Sequence, residues 1–267
     1  RADPGGEAST AAAGILAAQI EARDSQPMLA LGLASRALYP DWAAELRDET
    51  GHDIGFRRCG VLMLASLGDQ TAVAAELADQ EALWQQQRAA GLPVELLSPM
   101  QLARLEPALS KVAGALLFPE DGQVEPPRLL AALLAALHRR GCTPVRATVL
   151  GIGPQPTADG LHVVTLQVGE GTAARSVQVR APQVALCSGS WSSLLPGSPL
   201  PIPTVGPVRG QMVELFSTPS PLRHVCYGHV PPRGAAGQQG GPLRHGYLVP
   251  RGDGRIVIGS TTERVGF

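Results

Sequence analysis

Between Val145 and Cys187 lie four short strand-like runs, Val145–Ile152, His162–Val168, Ser176–Val179 and Gln183–Cys187, separated by turn residues such as Asp159-Gly160 and Gly169-Glu170-Gly171. Connections this short suit a meander of neighbouring strands, because a parallel crossover needs about a dozen residues or more. Upstream the hydrophobic period is helical. A helix is expected from about Leu29 to Thr50, with Leu31, Ala34, Leu38, Trp42 and Leu46 as its buried face and Pro40 as a kink. Further helices are expected over Asp69–Ala90, over Pro99–Glu106 behind Ser98, and over Pro126–Arg140, stopped by Gly141. Ala11–Glu21 also reads as helix-tolerant, and the preceding Gly5–Thr10 stretch can start a helix and offer backbone N–H groups to an anion.

Ile54–Ser66 reads as a strand pair or one bent strand, and Gly114–Phe118 as a strand ending in the turn Pro119–Gly122. Val208–Phe216, Gly246–Pro250 and Arg255–Ser260 complete the strands. The Gly/Pro/Gln stretch from Val230 to Pro242 cannot bury a core and is expected to be a mobile surface loop. The fold class is therefore α/β plus antiparallel β. With 267 residues, 44% of them hydrophobic, the chain can bury enough surface for two lobes.

The formal net charge of −1 leaves no basic footprint for a nucleic acid or a membrane surface. Arg139-Arg140 suits a solvated helix end. Cys59, Cys142, Cys187 and Cys226 are far apart and form no CxxC or Cys/His pair, so neither zinc, any other metal, nor a disulfide framework is expected, and a reducing cytoplasm fits. No apolar run reaches a membrane span, and RADPGGEAS is no signal peptide. The sequence starts as if cut from something longer.

Five segments in order resemble the glycine oxidase branch of the D-amino-acid oxidase family, which includes thiamine-pathway enzymes. They are Ala8–Leu16; Asp53–Leu62 with Glu120–Pro126; Ala185–Ser192; Pro207–Gln211; and the hairpin His245–Arg251 with Asp253–Glu263. The resemblance implies a partial Rossmann-like FAD-binding domain, residues 1–52 and 125–200, interleaved with a substrate domain built on an antiparallel sheet with helices, residues 53–124 and 201–267. It also places the GxGxxG loop upstream of Arg1 and the carboxylate-clamping arginine downstream of Phe267, so that the chain is expected to be truncated at both ends.

For the cofactor, FAD, the resemblance implies contacts from Ser9, Thr10, Ala12, Ala13, Gly14, Ile15, Val149, Ser188, Gly189 and Trp191. For the substrate it implies Tyr247, with His245 and Thr262 beside it. Four of these have a plainer account. Tyr247 is otherwise a strand tyrosine with a buried ring and wet hydroxyl, His245 a surface residue, Ile15 ordinary core, and Trp191 a wedge against the sheet. Arg209 and Arg251 are expected in structural ion pairs, and Glu125 as a solvated charge. The implied reaction is oxidation of glycine or a similar small amino acid to an imine, with FAD accepting the hydride and oxygen yielding hydrogen peroxide, in support of thiamine thiazole synthesis. The implied partners are thus a small amino acid and oxygen, and a homo-oligomer is compatible. A sarcosine oxidase or D-amino-acid dehydrogenase relative is the alternative within the flavin enzymes, and a non-catalytic fragment lacking FAD is the alternative outside them.

Overall fold

The structure, a computed structural model, describes residues 8–22, 24–65, 70–153, 156–196, 204–230 and 244–267. In chain order the elements are α1 (Ala8–Ala11), β1 (Ile15–Leu16), α2 (Ala18–Glu21), α3 (Gln26–Thr50), β2 (Val61–Leu64), α4 (Gln70–Ala89), β3 (Glu95–Leu97), α5 (Pro99–Leu105), β4 (Ala115–Phe118), β5 (Gly122–Gln123) and α6 (Pro126–Arg139). They continue with β6 (Thr148–Ile152), β7 (His162–Val168), β8 (Arg175–Ala181), β9 (Val213–Phe216), β10 (Val225–Val230), β11 (Arg244–Pro250) and β12 (Arg255–Gly259). Two compact units result, one from residues 1–141 and 210–261, the other from 142–209 and 262–267. Contacts define these units, whereas cofactor and substrate roles define the four-segment division, which stays a proposal.

The first unit is organised by a seven-stranded sheet in the order β3-β4-β2-β10-β11-β12-β9. Its pairs are antiparallel except β2 with β10, where Val61 faces Val225 in parallel register. Side chains alternate between the two faces, as a strand requires. Val61, Val225, Val249 and Val257 join Ala13 and Ala17 in one buried cluster. Their neighbours Leu62 and Cys226 join Leu102, Leu117 and Leu222 in another. α5 is opened by a capping box, in which the Ser98 hydroxyl accepts from the Gln101 N–H and the Gln101 side chain accepts from the Ser98 N–H. The second unit carries the expected meander as an antiparallel sheet of β6, β7 and β8.

Several expectations need correction. α3 is one helix with Pro40 inside it, but Leu31 and Leu38 are 64% and 67% exposed. Trp42 and Leu46 pack inward as expected, and the rest of the inward face runs through Leu29, Gly32, Arg36, Tyr39, Ala43 and Thr50. Gly32 abuts Ala18, Arg36 meets Gln19 and Asp121, and the others bury apolar surface. Glycine and arginine at two of those positions hide the stripe from a hydrophobicity count. Ala11–Glu21 is not one helix but α1, β1 and α2. Gly14 breaks it at φ +70°, where an added Cβ would lie 2.3 Å from the Val124 carbonyl oxygen.

Ile54–Ser66 yields a single strand, β2, preceded by an isolated bridge from Arg57 to Gln123. Val208–Phe216 shrinks to β9, with only a bridge from Arg209 to Glu263 before it. Gln183–Cys187 forms no strand and is mostly exposed, since among the described residues nothing pairs with it. β3 and β10 were not expected. Val230 ends β10, and the rest of the expected loop, 231–242, lies outside the described residues.

Candidate functional site

The end of β11 ties the first unit together at one arginine. Arg251, 5% exposed, donates from Nη1 to Gln123 Oε1 at 2.7 Å and to the Val124 carbonyl at 2.9 Å, and from Nη2 to the Ala13 carbonyl at 2.7 Å. Its Nε is buried without a partner. Burial pushes its pKa below the usual arginine value. Arg251 is therefore not in the expected ion pair: its hydrogen bonds go to neutral oxygens, and they pin Ala13 against the turn after β5. That turn is fixed from its other side as well, because the Val124 N–H donates to the Gly14 carbonyl at 2.8 Å and β1 pairs with β5.

Thr10, Ala11 and Ala12, just before that anchor, border a cavity of about 220 Å3 with Met212, Val257, Glu125, Arg251 and Arg255. Glu125, expected as a solvated charge, is only 8% exposed. Its carboxylate takes Arg255 Nη2 at 2.5 Å and Arg128 Nε at 3.5 Å, so the helix entry of α6 brings a charge inward where β12 supplies the countercharge. Arg255 also holds Asp253 at 2.7 Å, and these carboxylates keep its pKa above the usual arginine value. Arg209 pairs with Glu263, as expected.

Tyr247 stands half-buried on β11 and donates its hydroxyl to Met212 Sδ at 3.0 Å. Room for its ring comes from the strand beside it. Gly259 is its partner across β12, and an added Cβ there would lie 2.5 Å from the tyrosine ring and hydroxyl. On its other side Tyr227 lies 6.0 Å away, ring centre to ring centre, and donates to Glu21 Oε1 at 2.6 Å. Burial, then the Glu21 carboxylate, pushes the Tyr227 pKa far above its ordinary value, so the phenol stays a donor.

The residues singled out in the sequence divide between the two units. Ile15 and Ala13 pack in the same cluster as Tyr247 and Met212, Thr10 and Ala12 line the cavity, Gly14 makes the turn, and Ser9 is exposed on α1. His245 pairs with His229 through the backbone, and its side chain lies outside the described residues. The second unit holds the others. Val149 is 44% exposed on β6, Ser188 and Gly189 open a 3-10 turn, Trp191 lies 5.6 Å from the Phe267 ring, and Thr262 is exposed. Met212, Tyr227, Glu125 and Arg255 join the site without having been singled out for it. The contacts that bring them together, Met212 with Tyr247, Tyr227 with Glu21 and Glu125 with Arg255, span distances in sequence that no local pattern announces.

A chain of small side chains along one wall, with a phenol on the adjoining sheet, suits a planar ring laid against backbone. The cavity is smaller than the roughly 300–1,000 Å3 of a complete small-molecule site, so it would take part of such a group. Among the described residues no group of His, Cys, Asp and Glu could hold a metal ion, and no helix is long and apolar enough to cross a membrane.

The family described as FAD dependent oxidoreductase (DAO) matches residues 1–267, and the chain belongs to that family, whose cofactor is FAD. Within it the chain is similar to the glycine oxidase of Geobacillus kaustophilus, 34% identical over 262 residues, which are 97% of this chain and 61% of that protein. It is also 32% identical over 268 residues to the bifunctional protein ThiO/ThiG of Synechocystis, covering 97% of this chain and 33% of that one. The crystal structure of the Geobacillus kaustophilus enzyme superposes with a TM-score of 0.76 at 30% identity, over 97% of this chain and 62% of the other. The chain thus spans about three fifths of the length of the glycine oxidases it matches. The expected fold class, α/β with antiparallel sheets, agrees with that superposition.

Proposed function

We propose that the protein oxidises glycine or a similarly small amino acid to its imine, that oxygen is consumed and hydrogen peroxide released, and that the product serves thiamine thiazole synthesis. The observation that carries this reading is the meeting of the Thr10–Ala12 wall and the Met212 partner of Tyr247 around one cavity. FAD, when bound, supplies the two-electron acceptor. On this reading Thr10, Ala12, Ala13 and Gly14 would hold it along their backbone, with Ser9 and Ile15 beside them, and Val149, Ser188, Gly189 and Trp191 would be further cofactor residues. Residues 1–52 and 125–200 form the cofactor side, and 53–124 with 201–267 the substrate side.

Tyr247 would bind the substrate carboxylate, and His245 and Thr262 would be further substrate residues. A thioether is a weak acceptor, so the Tyr247 hydroxyl exchanges Met212 for a carboxylate at little cost. Arg251 keeps the Ala13 wall in place before the cofactor arrives, which is the preorganisation that orientation requires. A cytoplasmic protein, alone or as a homo-oligomer, accords with this chemistry.

The test is oxygen uptake and peroxide release by the flavin-loaded protein with glycine, sarcosine and D-alanine. Glycine is expected to be turned over. Faster uptake with sarcosine would move the assignment to that substrate, and a colourless protein drawing no oxygen would end it. Tyr247→Phe is expected to raise KM for glycine about 10- to 100-fold, the value of a hydrogen bond to a charged group, with bound flavin unchanged.

A further inference from the structure

Met212 places a thioether on the wall of the same cavity as Thr10 and Ala12, with its sulfur already in contact with the Tyr247 hydroxyl. Thioethers are soft, and a two-electron oxidant converts them to sulfoxides. Two other methionines are far more open to solvent, Met28 at 56% and Met100 at 63% exposed, whereas Met212 is half-buried. Solvent access alone would therefore leave Met212 oxidised after those two. A peroxide formed inside the cavity reverses that order, because it meets Met212 before it reaches bulk water.

We propose that Met212 is a self-modification site, oxidised to methionine sulfoxide by the hydrogen peroxide made at the neighbouring site. The inference rests on the oxidase reading above. A sulfur lone pair attacks one peroxide oxygen, the O–O bond breaks, and the departing oxygen leaves as water once it has taken the remaining proton. Sulfur is oxidised by two electrons and the peroxide is reduced by two. The sulfoxide oxygen is a stronger acceptor than the thioether and takes up space in a cavity of about 220 Å3. It keeps the Tyr247 hydroxyl occupied, so the affinity for a substrate carboxylate falls as turnovers accumulate. The enzyme thereby slows in proportion to the peroxide it has made.

Peptide mass spectrometry of the flavin-loaded protein during glycine turnover, with catalase in the buffer, tests this. Sulfoxide at Met212 is expected to rise with the number of turnovers while Met28 and Met100 stay reduced, and KM is expected to climb over the same interval. Reagent hydrogen peroxide added to resting protein is expected to oxidise Met28 and Met100 first. In Met212→Leu, whatever its initial rate, the climb in KM disappears. The inference is overturned if peroxide is released while Met212 remains a thioether, or if catalase suppresses Met212 oxidation as fully as it suppresses that of Met28. Absence of oxygen uptake with every substrate would show instead that the oxidase reading has failed, and this inference would fall with it.

Discussion

Asp121 and Glu106 are both fully buried carboxylates in the first unit, each with one oxygen lacking a partner, yet their pKa values lie on opposite sides of the usual range. Asp121, in the turn between β4 and β5, is raised from 3.8 to about 6 by burial, and the single guanidinium of Arg36 only partly opposes this. Glu106, at the end of α5, is also pushed upward by burial. Its Oε1, however, collects three donors at 2.7 Å, the N–H groups of Arg223 and His224 and the His224 ring Nδ1, and together these hold the carboxyl below its ordinary value. The contrast teaches that several convergent donors outweigh one formal countercharge at a buried carboxylate.

The largest effect is expected where the donors converge. Glu106→Ala strands the two N–H groups and the His224 ring, and should cost about 3–5 kcal/mol, read from urea unfolding at pH 7. Because the folded pKa of Glu106 is depressed, its contribution is present above pH 4.5 and is lost as pH falls through the folded value. The variant should therefore lack that part of the acid loss. An acid limb identical to the parent's would break the comparison.

Asp121 has the opposite sign. Its folded pKa is raised, so its contribution is full below about pH 4 and drains away as pH rises through about 6. The whole span is on the order of 3 kcal/mol at most, from the free energy of a pKa unit. Asp121→Asn should flatten stability between pH 4 and 6, whatever its absolute level, in a series of urea midpoints. The smallest effect sharpens the Glu106 side. Ser98→Ala removes the cap of the helix that ends at Glu106, and should cost about 1 kcal/mol equally at pH 5 and pH 8. A loss that changes with pH would mean that the helix start, not the donor cluster, governs Glu106.

Much of this arrangement could be read from residue order, and the exceptions share a cause. α5 with its Ser98 cap, α6 with its Gly141 stop, and the β11–β12 hairpin around Asp253-Gly254 are specified by local signals, and all three form. The α3 stripe was hidden because Gly32 and Arg36 face inward, toward Ala18 and Asp121, which only tertiary contact reveals. The β10 strand went unseen because its sequence offers Val225, Tyr227 and Val230 among polar residues and glycine, and what makes it a strand is β2 and β11 on either side. At the candidate site, motif order pointed to Tyr247 and to Ala8–Leu16, whose substrate and cofactor roles are proposals. Arg251 stood in the sequence beside them, but its role depends on the carbonyls of Ala13 and Val124.

The parallel contact between β2 and β10 has a consequence for how the chain is made. Val61 emerges from the ribosome long before Val225, yet the two lie at the centre of one sheet. β3, β4 and β2 are close in sequence and can zip together early, leaving the Val61–Leu64 edge open with its amide groups unmet. Closing so long a loop is slow, as non-local pairing generally is. Throughout that interval the nascent chain displays an apolar edge that any extended segment can add to. High-level synthesis should therefore favour inclusion bodies, and slower translation or a chaperone that shields β2 should raise the soluble yield.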